Sequence, residues 1–211
     1  LISLGTEDGF PFAIQSRLPG MDLGNIMNQL DAASLAGIAR AVADAQSATA
    51  RLGDGARFGY AASAKAAPHA SWADVVAAHI ERSALRIAAS GFFPAEVVSR
   101  TEALFARHEA VLRHIPATPF LHDTTTKNVI VTPSGAFSGI VDVDELCFGD
   151  PRYAPALTLV AMLVHGGPVH YVDTWMDHAG LPRDDLFRFY VTVFLLDFMS
   201  EHGTAFNGNE A

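Results

Sequence analysis

The chain has 211 residues, of which half are hydrophobic and 18% are charged. This composition excludes general disorder and allows one domain, or two small ones, with a sizeable core. A formal charge of −9 without any Lys/Arg cluster argues against nucleic-acid binding. An acidic protein can suit a cationic small substrate, but most acidic proteins are simply soluble ones. A single cysteine, Cys147, excludes an internal disulfide, and no apolar run reaches the length of a membrane span, so we expect a cytoplasmic protein without a membrane partner.

Over the first 50 residues, the predicted secondary structure is two strands followed by a helix. Two strands are predicted at residues 1–4 and 10–18, and a glycine-containing turn joins them. The sequence begins without methionine and inside a strand pattern, so we expect a fragment of a longer protein. A helix capped by Asp31 or Ser34 is predicted to follow and to extend to about Ala50.

The rest of the chain is predominantly helical by pattern. Residues 51–68 are rich in Gly and Ala without a clear period, and we predict a loop there. Five further helices are predicted from apolar periodicity and from capping residues such as Ser71 and Gly91. They extend from Ser71 to about Ser90, from Pro94 to before Pro116, and over 153–165, 169–178 and 183–202. The order of elements predicts an α+β fold in which helices dominate.

The stretch from Phe120 to Pro151 has the features of a chemical site. Two short strands joined by a Pro-Ser-Gly turn would bring Asp123, Asn128 and Asp142 close together. Carboxylates held that close repel each other and normally need a metal, a proton or a bound cation. Phosphoryl transfer uses such a set, because it needs a carboxylate for the acceptor hydroxyl and oxygen ligands for Mg²⁺. The D-x4-N spacing and the aspartate after the second strand match that requirement.

This ordered set resembles the aminoglycoside phosphotransferase family, in the broad sense that includes kinases for choline, homoserine and similar alcohols. The family pattern is approximately H-G-D-x4-N, then a hairpin ending I-D, then G-D-P before a helix. The chain has L-H-D-T-T-T-K-N, G-I-V-D and G-D-P in the same order. R-L-P-G-M-D-L at residues 17–23 and Ser71-Trp72 extend the resemblance over nearly the whole chain.

The resemblance implies a protein kinase-like fold whose N-terminal lobe is largely absent from this chain. Residues 1–20 would be the last strands of that lobe and the hinge, and residues 21–211 a C-terminal lobe with a helical substrate subdomain. The implied function is ATP-dependent (or GTP-dependent) transfer of the γ-phosphoryl group to a hydroxyl of a small molecule, aminoglycoside-like or an amino-alcohol. The implied roles are catalytic base for Asp123, Mg²⁺ ligands for Asn128 and Asp142, adenine contacts by the hinge backbone at Gln15, Ser16 and Leu18, and a structural tie for Asp150.

Three departures from the family pattern matter. The family histidine lies two residues before the aspartate, where this chain has Leu121, and His122 adjoins Asp123 instead. The residues after Asp142 are more acidic than usual, so Asp144 is a candidate for a further metal ligand or a substrate contact. The given sequence also lacks the Gly-rich loop and the phosphate-binding lysine, which leaves open whether it is a competent kinase by itself.

Several residues have two interpretations. Asp197 and Glu201 lie four residues apart on one helix face. By the resemblance they would meet a cationic substrate, and otherwise they form a solvated face. Lys127 could reach a phosphate or be a solvated loop cation, and we interpret His122 as a hydrogen-bonding loop residue.

Two other functions compete with a small-molecule kinase. A non-catalytic nucleotide-binding or interaction module could retain the same fold, and the displaced histidine motivates this alternative. A metal-dependent hydrolase could use the same carboxylates. Neither the identity of the acceptor nor the oligomeric state follows from the sequence.

Overall fold

The computed structural model describes residues 2–53, 55–143 and 146–203, together with the backbone of residues 205–206 and 209–210. The helices are α1 (Ala32–Ala50), α2 (Trp72–Ser90), α3 (Glu96–Leu112), α4 (Tyr153–His165), α5 (His170–Ala179) and α6 (Asp185–Glu201). The strands are β1 (Ser3–Glu7), β2 (Phe10–Ile14), β3 (Met21–Asp22), β4 (Gly59–Ala61), β5 (Thr118–Phe120), β6 (Val129–Val131), β7 (Phe137–Ile140), β8 (Leu146–Gly149), β9 (Ala205–Phe206) and β10 (Asn209–Glu210). This arrangement confirms the predicted α+β fold.

The helix boundaries follow the capping residues. Ser71 begins α2 with a capping box, in which its hydroxyl accepts from the Asp74 N–H at 3.2 Å and its own N–H donates to the Asp74 carboxylate at 2.9 Å. Gly91 ends the same helix in the left-handed conformation, with φ 67°. Of the two candidate caps for α1, it is Asp31 whose carboxylate accepts from the Ser34 N–H, at 2.7 Å.

Two three-stranded antiparallel sheets position the central stretch. The first has the order β3-β6-β7, and β6 and β7 form the predicted hairpin, with Val129 opposite Ile140. The second has the order β4-β8-β5, with Phe120 and Tyr60 on either side of Cys147. The loop from β5 to β6 therefore connects one sheet to the other.

Three predictions of strand structure are wrong. The first strand extends to Glu7 rather than ending at residue 4, because the turn consists of Asp8 and Gly9, which both have positive φ. The second strand ends at Ile14, which lies opposite Ser3, rather than at residue 18. The region 51–68 is not only loop, since it contains β4. This three-residue strand has no apolar alternation, and its pairing with β8 comes from a distant part of the sequence.

The core lies between the helices and the sheet that contains β5. Helix α6 packs on α2 and α4, while α5 packs on α1. Trp72 is fully buried and its indole N–H donates to the Tyr190 hydroxyl at 2.9 Å. The Trp72 ring also lies directly against Gly149, where any Cβ would collide with it. The end of β8 is thus fixed against α2.

Among the described residues, no helix is both long and apolar enough to span a membrane.

Candidate functional site

The loop between β5 and β6 presents Asp123 to solvent. The residue before the loop, Phe120, and the loop residue Thr124 are both fully buried, whereas Asp123 is exposed. One carboxylate oxygen of Asp123, Oδ1, accepts from the N–H and the hydroxyl of Thr125, at 3.1 and 2.7 Å. No described residue donates to the other oxygen. The carboxylate is therefore oriented, and one oxygen can accept a hydrogen bond from a substrate hydroxyl.

Asn128 joins this loop to the β6–β7 hairpin. Its side-chain amide donates to the main-chain carbonyl of Asp123 at 3.1 Å. The main-chain carbonyl of Asn128 accepts from the Val141 N–H at 2.9 Å, which extends the hairpin ladder by one step. Asp142 directly follows Val141 in the chain. The structure thus places Asp123, Asn128 and Asp142, the three residues singled out by their spacing, at one end of the hairpin.

The oxygens of Asn128 and Asp142 suit a hard divalent cation. Asp142 is exposed and adopts φ 59°, in the left-handed region that Asp tolerates better than most residues. None of the described residues donates a hydrogen bond to its carboxylate or to Asn128 Oδ1. No group of three or more His, Cys, Asp or Glu side chains within the described ranges could hold a metal ion.

Mg²⁺ is compatible with such a sparse ligand set, because it retains several waters and commonly combines one or two carboxylates with substrate phosphates. The donor atoms present therefore fit Mg²⁺, and the roles of Asn128 and Asp142 as its ligands stay predictions. Asp144, the candidate for an additional ligand, lies outside the described residues.

The segment predicted as the hinge lies beside the hairpin. Gln15 and Ser16 are exposed and follow β2 without strand pairing of their own. Leu18 is half-buried and lies against the glycine of β7. The Ser138 hydroxyl of β7 donates to the Pro19 carbonyl at 2.7 Å. The backbone of this segment is thus held next to the strands that lead to the candidate metal ligands, and its roles as hinge and as adenine contact stay predictions.

His122 packs among aromatic rings, a role that the sequence did not indicate. The Tyr60 ring meets it edge-on at a centroid distance of 4.6 Å, and Tyr153 and Phe194 lie at 6.3 Å. Burial lowers the pKa of His122 to about 4, although the charge of the adjoining Asp123 opposes this shift. The imidazole is therefore neutral at neutral pH and acts mainly as a packing residue, with a 3.4 Å contact to the Tyr60 hydroxyl.

Gln46 on α1 is a site residue that the sequence analysis missed. Its side-chain amide contacts the main chain of Leu121 and the hydroxyl of Thr124, and these residues bracket Asp123. The sequence signal that could have indicated Gln46 is its position in line with the apolar residues of α1, where a polar residue is unexpected. The buried residues of α1 are Leu35, Ile38, Ala39, Val42, Ala43 and Gln46.

Asp197 and Glu201 face α2. Asp197 accepts from the Ser83 hydroxyl at 3.0 Å and from Arg82 at 3.2 Å, and it lies 3.1 Å from His79 Nε2. Burial alone would raise the pKa of Asp197, but these three neighbours outweigh it and hold the pKa well below its usual range. Glu201 on α6 pairs with Arg86 on α2. The predicted contact of these carboxylates with a cationic substrate stays a prediction.

Asp150 of the G-D-P segment has the structural contacts expected for it. The buried carboxylate accepts from the N–H and the guanidinium of Arg152 and, at 2.8 Å, from the Tyr190 hydroxyl. Arg152 also donates to Asp184, the residue that caps α6, at 2.8 Å. Asp150 thereby ties the end of β8 to both α4 and α6.

Comparison with known proteins identifies the family. The sequence matches the family model of the phosphotransferase enzyme family over residues 1–190, so the chain belongs to this family. Comparison with curated proteins gives no match.

Solved structures of aminoglycoside phosphotransferases are similar to the chain. A thermostable mutant of APH(4)-Ia in its apo form aligns with a TM-score of 0.64 and 19% identity, over 93% of this chain and 67% of that chain. Another APH(4)-Ia variant, in a ternary complex with AMP-PNP and hygromycin B, gives 0.66 and 17%, over 93% and 66%. APH(3'')-Id from Streptomyces rimosus, in complex with ADP and streptomycin, gives 0.58 and 16%, over 85% and 68%. These likenesses confirm the predicted kinase-like fold, and the chain spans about two thirds of each of these structures.

Proposed function

We propose that the chain is an ATP-dependent phosphotransferase that moves the γ-phosphoryl group to a hydroxyl of a small molecule, aminoglycoside-like or an amino-alcohol. The observation that carries the proposal is the hairpin register, which puts Asn128 and Asp142 beside the Asp123 loop. Membership of the phosphotransferase family supports it, as do the ADP and AMP-PNP complexes of similar structures. In this proposal residues 1–20 are the end of an N-terminal lobe and the hinge, and residues 21–211 form the C-terminal lobe.

The proposed transfer begins with the acceptor hydroxyl hydrogen-bonded to Asp123. Thr125 holds one oxygen of this carboxylate, so the other is available to orient the hydroxyl and to take its proton. The hydroxyl oxygen forms a bond to the γ-phosphorus, and the bond from that phosphorus to the β,γ-bridging oxygen breaks, which releases ADP. Catalysis would come mainly from positioning and electrostatic stabilisation.

Asn128 and Asp142 would hold Mg²⁺ through their side-chain oxygens. When bound, this ion offsets the negative charge on the β- and γ-phosphates. The hinge backbone at Gln15, Ser16 and Leu18 would contact the adenine. Because the Asn128 side chain also donates to the Asp123 carbonyl, the ligand set and the base have a fixed relation to each other.

Phosphoryl transfer from Mg·ATP over a panel of aminoglycosides and amino-alcohols tests this function. We expect turnover by the wild-type full-length protein and a reduction of about 10³-fold in Asp123→Asn, since a positioned base contributes roughly 10²–10⁴-fold. The affinity for Mg·ATP, measured by calorimetry, should persist in the variant because Asp123 contacts the acceptor rather than the nucleotide. Full activity of Asp123→Asn would contradict the proposal.

The same experiment separates the alternatives. Binding of Mg·ATP by the full-length protein without turnover across the whole panel would favour a non-catalytic nucleotide-binding module. Release of phosphate at the same rate with and without an acceptor would favour a hydrolase.

A further inference from the structure

Gln46 is a buried polar side chain in an otherwise apolar helix face. It is 8% exposed, and the other buried residues of α1 are all apolar. Burying a long amide side chain costs desolvation and rotamer entropy, which hydrogen bonds must offset. The contacts of Gln46 therefore indicate why the position is not apolar.

The amide of Gln46 pairs with the main-chain N–H and carbonyl of one residue of the Asp123 loop. Its Oε1 accepts from the Leu121 N–H at 2.9 Å, while its Nε2 donates to the Leu121 carbonyl at 2.7 Å. Nε2 also donates to the Thr124 hydroxyl at 3.2 Å. The reversed amide would place its NH₂ group against the Leu121 N–H, so these partners specify one orientation.

These contacts bracket Asp123 along the chain. Leu121 lies two residues before it and Thr124 one residue after it, whereas Asp123 itself is exposed. The side chain that holds the loop at Leu121 comes from another element, α1.

We propose that Gln46 is a positioning residue for Asp123, which fixes the loop backbone on both sides of the proposed base. Its effect on transfer rests on the proposed function, whereas its effect on the loop does not. The expected kinetic signature is a lower kcat with little change in the KM for ATP, because a displaced base affects the transfer step and not the nucleotide contacts.

The variant that tests this inference is Gln46→Met. Methionine has a similar length and fills the same space, but it provides neither the NH₂ donors nor the amide oxygen. Gln46→Ala would add a cavity and confound positioning with folding. Thr49→Val is the matched control, because Thr49 lies one turn further along α1 and its hydroxyl donates within the helix, to the Ala45 carbonyl.

Two measurements on the full chain decide the inference. Amide hydrogen exchange followed by NMR should show the Leu121 amide exchanging about tenfold faster in Gln46→Met, because its buried acceptor is lost. The kcat should fall about 10-fold to 100-fold, as expected for a displaced catalytic group, while the KM for ATP remains within about twofold. Thr49→Val should match the wild type in both measurements.

Wild-type exchange at Leu121 together with wild-type kcat in Gln46→Met would overturn the inference, since packing alone would then explain the residue. If the wild-type full-length protein transfers no phosphoryl group, the proposed function fails, but the exchange rate of Leu121 still decides whether Gln46 holds the loop. A loss of protection confined to residues 121–125 supports the inference. A loss spread over α1 as well contradicts it, because it would indicate a general loss of stability.

Discussion

The molecule contains two groups of aspartates that look alike in sequence and differ in their surroundings. Asp123 and Asp142, the open carboxylates, are exposed at the end of the β6–β7 hairpin. Asp150 and Asp197, the paired carboxylates, lie between helices and accept hydrogen bonds from arginines and from hydroxyl groups of other elements. The hydrogen bonds on the open carboxylates come, where present, from a neighbouring threonine.

The comparison shows what an acidic residue in this fold can bind. The charge of a paired carboxylate is already balanced inside the protein, and removing one partner leaves the other uncompensated. The open carboxylates have no cationic partner among the described residues, so a substrate hydroxyl or a cation can approach them. Acidity alone therefore does not identify the site, whereas the source of the partners does.

The largest effect that we expect from testing this comparison is on stability. Asp197→Ala should lower the free energy of unfolding by about 3 kcal/mol, because Arg82 and Ser83 lose a largely buried partner. Asp185→Ala is the control on the same helix, where the exposed pair with Arg188 should contribute less than about 1 kcal/mol. Urea unfolding measures both. Unchanged stability with a higher KM for cationic acceptors would instead move Asp197 to the open group.

The open group is tested by Asp142→Asn. Asparagine tolerates the left-handed backbone of this position, so stability should hold while Mg²⁺-dependent affinity for ATP falls about 100-fold, or about 2.7 kcal/mol. The matched control is Asp8→Asn, since Asp8 also has a positive φ, 50°, but lies in the β1–β2 turn. Calorimetric titration of ATP with and without Mg²⁺ measures the change. Equal Mg²⁺ dependence in Asp142→Asn and wild type would refute the ligand role.

A smaller effect concerns the pH dependence of stability and the residue His122, whose pKa responds to one carboxylate of each group, Asp123 and Asp197. Its folded pKa of about 4 lies below the ordinary 6.5, so the unfolded chain binds more protons between these values, and stability should fall as pH decreases through that window. Because the ring is only half-buried, we expect a loss of about 2 kcal/mol between pH 7 and pH 4.

His122→Phe retains an aromatic ring and removes the titration, so its unfolding free energy should depend less on pH across that range. Asp197 does not confound this comparison. The pKa of Asp197 is depressed, so its contribution is lost only below the ordinary aspartate range. Parallel pH profiles for the wild type and His122→Phe would show that His122 does not titrate as we expect.

Local signals in the sequence explain which features could be predicted. The capping box at Ser71 and the glycine at 91 specify α2 within a few residues of its ends. The hairpin that groups Asn128 with Asp142 closes over a short segment, so its spacing is visible in the sequence. The family resemblance added the roles of these residues, which spacing alone would not have provided.

The features that could not be predicted depend on contacts between distant parts of the chain. Gln46 binds a residue 75 positions away, and Arg82 pairs with Asp197 at a separation of 115. Strand β4 exists because β8 pairs with it, and nothing in its own Gly-Tyr-Ala sequence predicts a strand. Each of these required knowledge of the packing, which apolar periodicity does not contain.

Asn128 has a consequence for how acceptor selectivity could diverge in proteins of this kind. Its side chain binds the Asp123 carbonyl and its main chain binds Val141, so the proposed base and the predicted metal ligands are tied into one unit. The spacing of these three residues is then set by the strand register. In the proposed function, selectivity among acceptors would therefore depend on the residues around this unit rather than on the unit itself.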